Sequence, residues 1–405
     1  MSYTKPAFEV ADIARKYGPA LIDAHKLTSL QKKVMTAICN CRTLELGGHK
    51  EVCNNDNCAH ERFAYNGCRD RHCPKCNALK REKWVMDRKA DALPVPYFHI
   101  VFTIPHSLET LCLSHGKEMY NLLFRSSWET IQCFARDHKH LGAETGMVSI
   151  LHTWGQNLER HTHVHCLVPA GGMTPKGAWR AAKSNGKFFV HVKKLSAVFR
   201  GKFTDGLVEL QNQKVIGLDQ ELIPTLKYLH PLFKKQWVVY AKKPFPSSDK
   251  VVEYIGRYSH RVAISNHRIK NVENGKVTFS WIDYRTEKIG MLSLDASDFL
   301  LRFFLHVLPS GFVKIRHYGI LSSRNKSACI EKIRSHFAVP SFDKPAKDKS
   351  WIDVFVQIYG RHPKLCPCCG KGMMMAMDIF TPKHLLRTRD GPPLEPNFTF
   401  CSQKQ

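Results

Sequence analysis

Clusters of cysteine place the strongest constraint on how this chain can fold. Of its 15 cysteines, seven fall between Cys39 and Cys76, and three more form the sequence CPCCG at Cys366, Cys368 and Cys369. The N-terminus is charged and lacks the apolar core of a signal peptide, so we expect these cysteines in a reducing compartment. There, clustered thiols are typical of metal sites rather than of disulfides. The cysteines therefore predict a segment whose fold depends on a bound metal.

Two cysteine pairs in the N-terminal cluster have the spacing of zinc ligands. Cys53 and Cys58 form one pair, and Cys73 with Cys76 forms the other in the sequence CPKC. A short connection aims two sulfurs at one point, which suits the tetrahedral coordination of zinc. Further candidate ligands, enough for a second zinc ion of unassigned pairing, are Cys41, His49, His60, Cys68 and His72. Such a module either holds a small domain together or presents basic residues to DNA, among them Arg69, Arg71 and Lys75.

A row of histidines marks a second constrained segment, HTHVHCLVP at residues 161–169. Successive side chains of a β-strand alternate between its two faces, so His161, His163 and His165 would share one face. The other face would carry Thr162, Val164 and Cys166. Neutral imidazole is a common metal ligand, so the row predicts a metal-binding strand face. Taken alone, the row is also explained by a polar strand face or by ligation of a structural zinc.

An excess of basic residues runs along the whole chain and narrows the class of partner. The 405 residues include 61 Lys and Arg against 35 Asp and Glu, a formal net charge of +26. Such a charge indicates a polyanionic partner, and nucleic acid is the first candidate. Apolar residues make up 43% of the chain, which favours a globular protein over disorder. No apolar run is long enough to span a bilayer, so we expect a soluble, intracellular protein without membrane contact.

Segments with helical and strand periodicity are mixed along the chain and predict an α+β fold with a mainly antiparallel sheet flanked by helices. Helices are predicted at residues 8–40, 80–93, 107–137, 192–232, 250–265 and 295–308. Strands are predicted at 97–105, 147–155, 161–169, 236–244, 277–284 and 311–321, the second and third as an antiparallel pair. The predicted domains are an N-terminal helical and zinc-ribbon-like module (1–92), a catalytic domain (93–325), and a C-terminal linker with the CPCC knuckle (326–405).

A tyrosine pair adds a candidate nucleophile to the histidine row. Tyr254 and Tyr258 are four residues apart and would share one face of the predicted helix, with Arg257 and Arg261 on its flank. Core packing is the ordinary explanation of such a pair. Beside a divalent ion held by histidines, however, a phenol can attack a DNA phosphodiester and leave a phosphotyrosine and a free 3′ hydroxyl. That reaction conserves the energy of the phosphodiester bond, so it requires no nucleotide. Consistent with this, the chain has no G-x-x-x-x-G-K-S/T nucleotide-binding loop.

Six segments together resemble the insertion sequence 91 family of transposases, HUH-type enzymes named for the pattern histidine, bulky apolar residue, histidine. They are LGGHKEVC, CRDRHCPKC, PVPYFHIVFTIPH, HTHVHCLVPAGG, YIGRYSHRVAISNHRI and FLLRFFLHVLPSGFVKIRHYG, in order from about residue 30 to 325. The resemblance implies rolling-circle-type transposition through single-stranded DNA, by an HUH-type catalytic domain behind a zinc-binding segment. It implies that the HUH pair is His163 and His165, and that the nucleophiles are Tyr254 and Tyr258.

Other site residues are predicted with less support from the pattern. The third metal ligand is expected to be His161, which shares the strand face, or Gln156, because related single-tyrosine enzymes use an amide or acid beside the histidines. The arginines expected to contact DNA are Arg257, Arg261 and Arg268. Tyr318, in the sequence RHYG, is a rival nucleophile for which we expect a structural role. We expect Mg²⁺ or Mn²⁺ at the histidines and zinc at the cysteines.

The predicted function is that of a transposase that cuts and rejoins single-stranded DNA through a 5′-phosphotyrosine intermediate. Its partners would be single-stranded element ends and target DNA, and it would act at the nucleoid in a bacterial cytoplasm. Two alternatives stay open. One is a plasmid replication initiator or conjugative relaxase with the same chemistry, and the other is a non-catalytic zinc DNA-binding protein that forms no covalent adduct. The zinc segment and the RHYG region favour the transposase.

Overall fold

The computed structural model describes residues 6–182, 190–216, 236–245, 262–283, 288–339 and 350–381, together with the single positions 232, 234, 252, 256 and 286. The chain forms two compact units. The larger unit comprises Met1–Cys39 and Arg69–Arg361, and the smaller unit comprises Asn40–Cys68 and His362–Gln405. Each unit is therefore built from two separate stretches of sequence, and the predicted domain boundaries at residues 92 and 325 stay predictions.

Helices and antiparallel strands make up the described chain, which confirms the α+β prediction. The helices are α1 (Val10–Asp23), α2 (Ser29–Cys39), α3 (Ala78–Asp91), α4 (Glu109–Ser114), α5 (Gly116–Arg136), α6 (Val192–Asn212), α7 (Ala296–Phe304), α8 (Lys326–His336) and α9 (Trp351–Tyr359). The strands are β1 (Gly48–Cys53), β2 (Glu61–Tyr65), β3 (Tyr97–Thr103), β4 (Gly146–Trp154), β5 (Arg160–Pro169), β6 (Gly171–Met173), β7 (Trp179–Ala181), β8 (Val239–Phe245), β9 (Ile269–Glu273), β10 (Lys276–Ile282), β11 (Ile289–Asp295), β12 (Ile315–Gly319) and β13 (Met374–Phe380). Among the described residues, no helix has the length and apolar character needed to cross a membrane.

A five-stranded antiparallel sheet with the order β12-β4-β5-β3-β8 forms the centre of the larger unit. The predicted pairing of the second and third strands is confirmed, and it sets His152 of β4 opposite His163 of β5. Strands β9, β10 and β11 form a separate antiparallel sheet of three strands. The catalytic candidates on β5 therefore lie at the middle of the central sheet, where strands on both sides hold the backbone.

The two faces of the central sheet pack against different helices. On the first face, alternate residues of β3 and β5 pack against α4, α5 and α6, and these residues are Phe98, Ile100, Phe102, Val164, Cys166 and Val168. On the second face, Tyr97, Val148, Ile150 and Leu167 share a core with residues of α3 and α8. Alternate side chains of a strand share a face, so the histidines of β3, β4 and β5 lie on this second face. The alternation of side chains along β5 thus places its core residues on the first face and its histidines on the second face.

Local chemistry accounts for the places where the described elements differ from the predicted ones. The predicted helix over residues 8–40 is two helices, because the chain turns at His25, whose φ is +52°. The predicted C-terminal linker contains α9, which begins with a capping box. The Ser350 hydroxyl accepts a hydrogen bond from the N–H of Asp353, whose carboxylate accepts one from the N–H of Ser350.

The smaller unit contains a three-stranded antiparallel sheet with the order β13-β1-β2. Strand β1 pairs with β2 to form a hairpin, and its other edge pairs with β13 from the C-terminal part of the chain. None of these three strands is predicted from the sequence, because cysteines and charged residues interrupt the alternation of apolar residues on which strand prediction depends. The pairing of β1 with β13 joins segments about 325 residues apart, as in the pair Cys53 and Met374.

Candidate functional site

Three buried histidines converge on the second face of the central sheet. Ring nitrogens of His152, His163 and His165 lie within 4.8 Å of one another, and the Nε2 atoms of His163 and His165 are 3.1 Å apart. Two nitrogens bound to one metal ion at about 2.1 Å and at right angles to each other would be about 3 Å apart. The spacing of these nitrogens therefore suits a shared metal ion.

Hydrogen bonds of the opposite ring nitrogens orient two of these histidines. The Nδ1–H of His163 donates to the backbone carbonyl of His161 at 2.6 Å, which leaves the lone pair on Nε2. Nδ1 of His165 lies 2.9 Å from Nε2 of His99, and the two rings are stacked at 7°. When His165 binds a metal through Nε2, its Nδ1 carries the proton and donates to His99. His99 of β3 thus orients the ring of His165, a candidate metal ligand.

Burial keeps the histidines of this site in the form that binds metals. Desolvation, reinforced by the neighbouring His161, lowers the pKa of His163 to about 3. Desolvation and the proximity of His152 and His163 hold the pKa of His165 well below its ordinary value. Both imidazoles are therefore neutral near pH 7, and neutral imidazole is the species that coordinates a metal ion.

The three-histidine group contains one residue that sequence reasoning missed. His152 lies in the predicted strand 147–155. Its pairing with the histidine strand, in which His152 lies opposite His163, is the signal that could have identified it. His161, one of the two predicted third ligands, is exposed and outside the group. Gln156, the other, lies between β4 and β5, and its backbone carbonyl accepts a hydrogen bond from Arg268. Ligation by His161 or Gln156 stays a prediction.

A buried carboxylate holds the start of the strand that carries the histidines. Glu109 of α4 accepts hydrogen bonds from the N–H of Thr162 at 2.5 Å, from the Thr162 hydroxyl at 2.7 Å and from Nε of Arg160 at 3.1 Å. Arg160 also donates to the carbonyl of Leu305 and to the hydroxyl of Tyr120. Because Thr162 directly precedes His163, this network holds the backbone next to His163.

The predicted nucleophiles Tyr254 and Tyr258 lie outside the described residues, as do Arg257 and Arg261. Two positions of this segment are described, Val252 and Gly256, and both are helical. Val252 is buried in the core on the second face of the central sheet. A Cβ on Gly256 would lie 2.2 Å from Cγ2 of Val85, so this position packs directly against α3 and has no room for a side chain.

Two further predicted residues have contacts within the protein. The guanidinium of Arg268 donates to the backbone carbonyls of Ser280 and Gln156, and its role in DNA binding stays a prediction. The ring of Tyr318 stacks on Trp128 with centroids 5.3 Å apart. Burial raises the pKa of Tyr318 to about 12. A phenol that is packed and resists ionisation suits the structural role expected for this residue.

Four cysteines of the smaller unit are arranged as zinc ligands. The Sγ atoms of Cys53, Cys58, Cys366 and Cys369 lie within 4.8 Å of one another. Sγ of Cys53 is 3.7 Å from that of Cys369, and Sγ of Cys58 is 3.9 Å from that of Cys366. Sulfurs bound tetrahedrally to zinc at about 2.3 Å would be about 3.8 Å apart. This donor set and its spacing therefore fit zinc.

The other predicted zinc ligands divide into cysteines and histidines. In the smaller unit the Sγ atoms of Cys41 and Cys68 lie within 4.8 Å of each other, and in the larger unit those of Cys73 and Cys76 do the same. His49 and His72 are not among these sulfur ligands. Nε2 of His49 lies 3.1 Å from a carboxylate oxygen of Glu51, and Nδ1 of His72 lies 3.0 Å from one of Asp70. These two imidazoles contact acidic side chains instead of the thiol groups.

Comparisons with known proteins place this chain among transposases. A family model described as "Putative transposase" matches residues 146–328, and one described as "Transposase zinc-binding domain" matches residues 13–104. The "Putative transposase y4qJ" of Sinorhizobium fredii is 43% identical over 383 residues, which is 92% of this chain and 95% of that protein. The "Transposase for insertion sequence element IS801" of Pseudomonas savastanoi pv. phaseolicola is 27% identical over 311 residues, 75% of this chain and 73% of that one.

Among solved structures, the conjugative relaxase TrwC in complex with oriT DNA, in its metal-free form, aligns with 14% identity and a TM-score of 0.24. The alignment covers 40% of this chain and 71% of that chain. A TM-score of this size does not establish a shared fold.

Proposed function

Because this chain belongs to the insertion sequence 91 family of transposases, we propose that it cuts and rejoins single-stranded DNA at element ends by metal-assisted tyrosine attack. Family membership makes the protein a DNA-processing enzyme with a zinc-binding domain. The buried group of His152, His163 and His165 is the observation that carries the finer proposal. It supplies neutral nitrogen ligands on a rigid strand pair, as a catalytic cation requires.

The protein's side chains divide the reaction between them. His152, His163 and His165 would hold Mg²⁺ or Mn²⁺, which supplies positive charge to offset the negative charge on the phosphate oxygens. The hydroxyl of Tyr254 or Tyr258 attacks phosphorus, and the bond from phosphorus to the 3′ oxygen breaks. The phenol proton ends on the 3′ oxygen, and the 5′ phosphate stays on the tyrosine. The reverse reaction with another 3′ hydroxyl rejoins the strand.

Positions next to the tyrosines support their assignment. Val252 precedes Tyr254 by two residues and is buried on the face of the sheet that carries the histidines. Gly256 lies between the two tyrosines in sequence and packs directly against α3. Both described positions are helical and packed, and rigid elements hold catalytic groups more accurately than loops do.

A covalent adduct tests the nucleophiles. Full-length protein is mixed with labelled single-stranded element ends and Mg²⁺ or Mn²⁺, and a denaturing gel is searched for a DNA-protein adduct. Phenylalanine keeps the ring and removes only the hydroxyl, so Tyr254→Phe and Tyr258→Phe should each still form adduct, whereas the double variant should form none. Adduct in the double variant would assign the nucleophile elsewhere, with Tyr318 the first residue to examine.

The same assay tests the metal ligands. We expect His152→Ala and His163→Ala to lower the rate of cleavage by more than about 100-fold, the upper range seen when only an outer-shell partner is removed. Binding of uncleaved DNA should persist, because affinity depends mainly on Lys and Arg contacts to phosphates. His161→Ala, on the same strand but outside the three-histidine group, separates the two assignments and should keep its activity if His152 is the third ligand. Loss of cleavage in His161→Ala but not in His152→Ala would instead make His161 the third ligand.

A further inference from the structure

The proposed cleavage chemistry does not use the CPCCG sequence, which lies beside two cysteines of the β1–β2 hairpin. Strand β13, which follows CPCCG, pairs with β1 so that Met374 lies opposite Cys53. Next to this pair, the N–H of Asn54 donates to the carbonyl of Met373 at 3.0 Å, and the N–H of Met373 donates to the Asn54 side chain at 2.7 Å. The backbone therefore aligns cysteines from two distant parts of the sequence.

We propose that Cys53, Cys58, Cys366 and Cys369 bind one structural zinc ion, so that the hairpin and the C-terminal segment complete a single site. The matched transposase zinc-binding domain ends at residue 104 and contains only two of these four ligands. The site involves none of the histidines or tyrosines of the cleavage reaction, so a test of the zinc site is independent of the proposed function. It replaces the separate C-terminal knuckle that the sequence predicts.

The sulfur geometry distinguishes a metal site from a pair of disulfides. The Sγ–Sγ distances of 3.7 Å and 3.9 Å match the edge of a zinc-thiolate tetrahedron, about 3.8 Å. A disulfide bond is about 2.05 Å long, so neither pair is bonded. All four sulfurs belong to one mutually close group, whereas two disulfides would need closeness only within each pair. Four converging thiols are the ligand set of a structural zinc.

A tight turn brings the C-terminal pair of thiols, Cys366 and Cys369, to the common point. The N–H of Gly370 donates to the carbonyl of Cys366 at 3.0 Å, and the N–H of Gly372 donates to Sγ of Cys369 at 3.3 Å. An N–H donated to sulfur stabilises the negative charge of a zinc thiolate. A Cβ on Gly372 would lie 2.5 Å from Sγ of Cys53, so only glycine allows the C-terminal turn to approach the hairpin this closely.

The small core of this unit explains why it would need a metal ion. Its buried apolar cluster, within the described residues, consists of Cys53, Cys366 and Met374, and two of these three are proposed ligands. On β13 the side chains of Met377 and Ile379 are 65% and 82% exposed and add almost nothing to a core. A cluster of three buried side chains offsets only a small part of the conformational entropy of ordering a three-stranded sheet. Zinc binding can supply the missing free energy.

Zinc content of the full-length chain tests the proposal. Protein is purified under reducing conditions without chelators, and zinc per chain is measured by mass spectrometry for Cys53→Ser, Cys366→Ser, the double variant and Cys368→Ser. Cys368 is exposed, adjoins the proposed ligands and lies outside the group, so it is the matched control. Each single ligand variant should lose one zinc equivalent, the double variant should lose the same single equivalent, and Cys368→Ser should lose none.

Two outcomes would overturn the shared site. Full zinc content in Cys366→Ser would remove the C-terminal cysteines from it, and a loss of two equivalents in the double variant would mean two separate sites.

Thiol alkylation of the wild-type protein is informative even if the variants do not fold. In zinc-loaded protein the exposed Cys368 should react readily, whereas Cys58 and Cys369 should react only after a chelator removes zinc. Reaction of Cys58 and Cys369 at the rate of Cys368 with zinc present would contradict the proposal. So would the recovery of disulfide-linked peptides from unreduced protein.

Discussion

At the scale of single residues, His306 makes the stability of the larger unit depend on pH. It is 3% exposed, its Nε2–H donates to the carbonyl of Leu158 at 3.0 Å, and its Nδ1 accepts from the Thr153 hydroxyl at 3.2 Å. Both nitrogens are satisfied with the ring neutral. Desolvation lowers the pKa of His306 to about 3, whereas an unfolded histidine titrates at about 6.5.

The sign of this effect follows from proton uptake. Between pH 6.5 and 3 the unfolded chain binds a proton that the folded chain excludes, so stability falls as the pH falls. From pH 7 to pH 5 this single residue should lower the free energy of unfolding by about 2 kcal/mol. His306→Gln removes the titrating group and should flatten the pH dependence by that amount, as measured by urea denaturation of metal-free protein. His336→Gln, at an exposed position, is the control, and an equal effect of both substitutions would contradict the argument.

At the scale of secondary-structure elements, the link between α4 and β5 determines the position of the HUH pair. The Glu109 and Arg160 side chains are each 7% exposed, and between them they contact β5, α5 and the backbone after α7. A buried ion pair of this kind adds little net stability compared with apolar packing, but removal of one partner leaves a charge without compensation. Its importance is therefore geometric, because it holds the strand on which His163 lies.

Removal of this carboxylate should destabilise the larger unit strongly. We expect Glu109→Ala to lower the free energy of unfolding by about 3–5 kcal/mol, the range for breaking a buried pair. Glu129→Ala is the matched control on α5, because Glu129 forms a half-exposed pair with Lys202 at 3.7 Å. Such pairs contribute at most about 1 kcal/mol. Urea denaturation measures both variants, and a similar loss in the two would show that burial of the Glu109 pair is unimportant.

At the scale of the whole molecule, the net charge of +26 predicts that binding to DNA depends on salt concentration. For single strands, log K falls with log salt concentration with a slope of about −0.7 for each phosphate contacted. A chain that contacts about six phosphates should therefore show a slope near −4 in fluorescence anisotropy with a labelled single-stranded oligonucleotide. His163→Ala should show the same slope, because it changes the metal site and not the phosphate contacts. A slope near zero would exclude electrostatic binding as the main source of affinity.

The amino-acid sequence alone determined the features that depend on local pattern. The alternation in HTHVHCLVP predicted a strand with a histidine face, and β5 has it, because the side-chain period of a strand is a property of the backbone. The sequence also predicted the paired strand β4 and the α+β class. The six family segments were enough to identify the transposase family. Local spacing also indicated that the cysteines bind metal.

Only the tertiary structure decided which of these local features meet. His152 joins the histidine group through the register between β4 and β5, which depends on pairing across the sheet and on the packing of both faces. Cys58 and Cys366 are 308 residues apart, and no spacing rule relates them. They meet because β13 adds to the edge of β1. Contacts between distant segments depend on which arrangement of the whole chain buries the most apolar surface and satisfies the most backbone hydrogen bonds. A local sequence pattern does not contain this information.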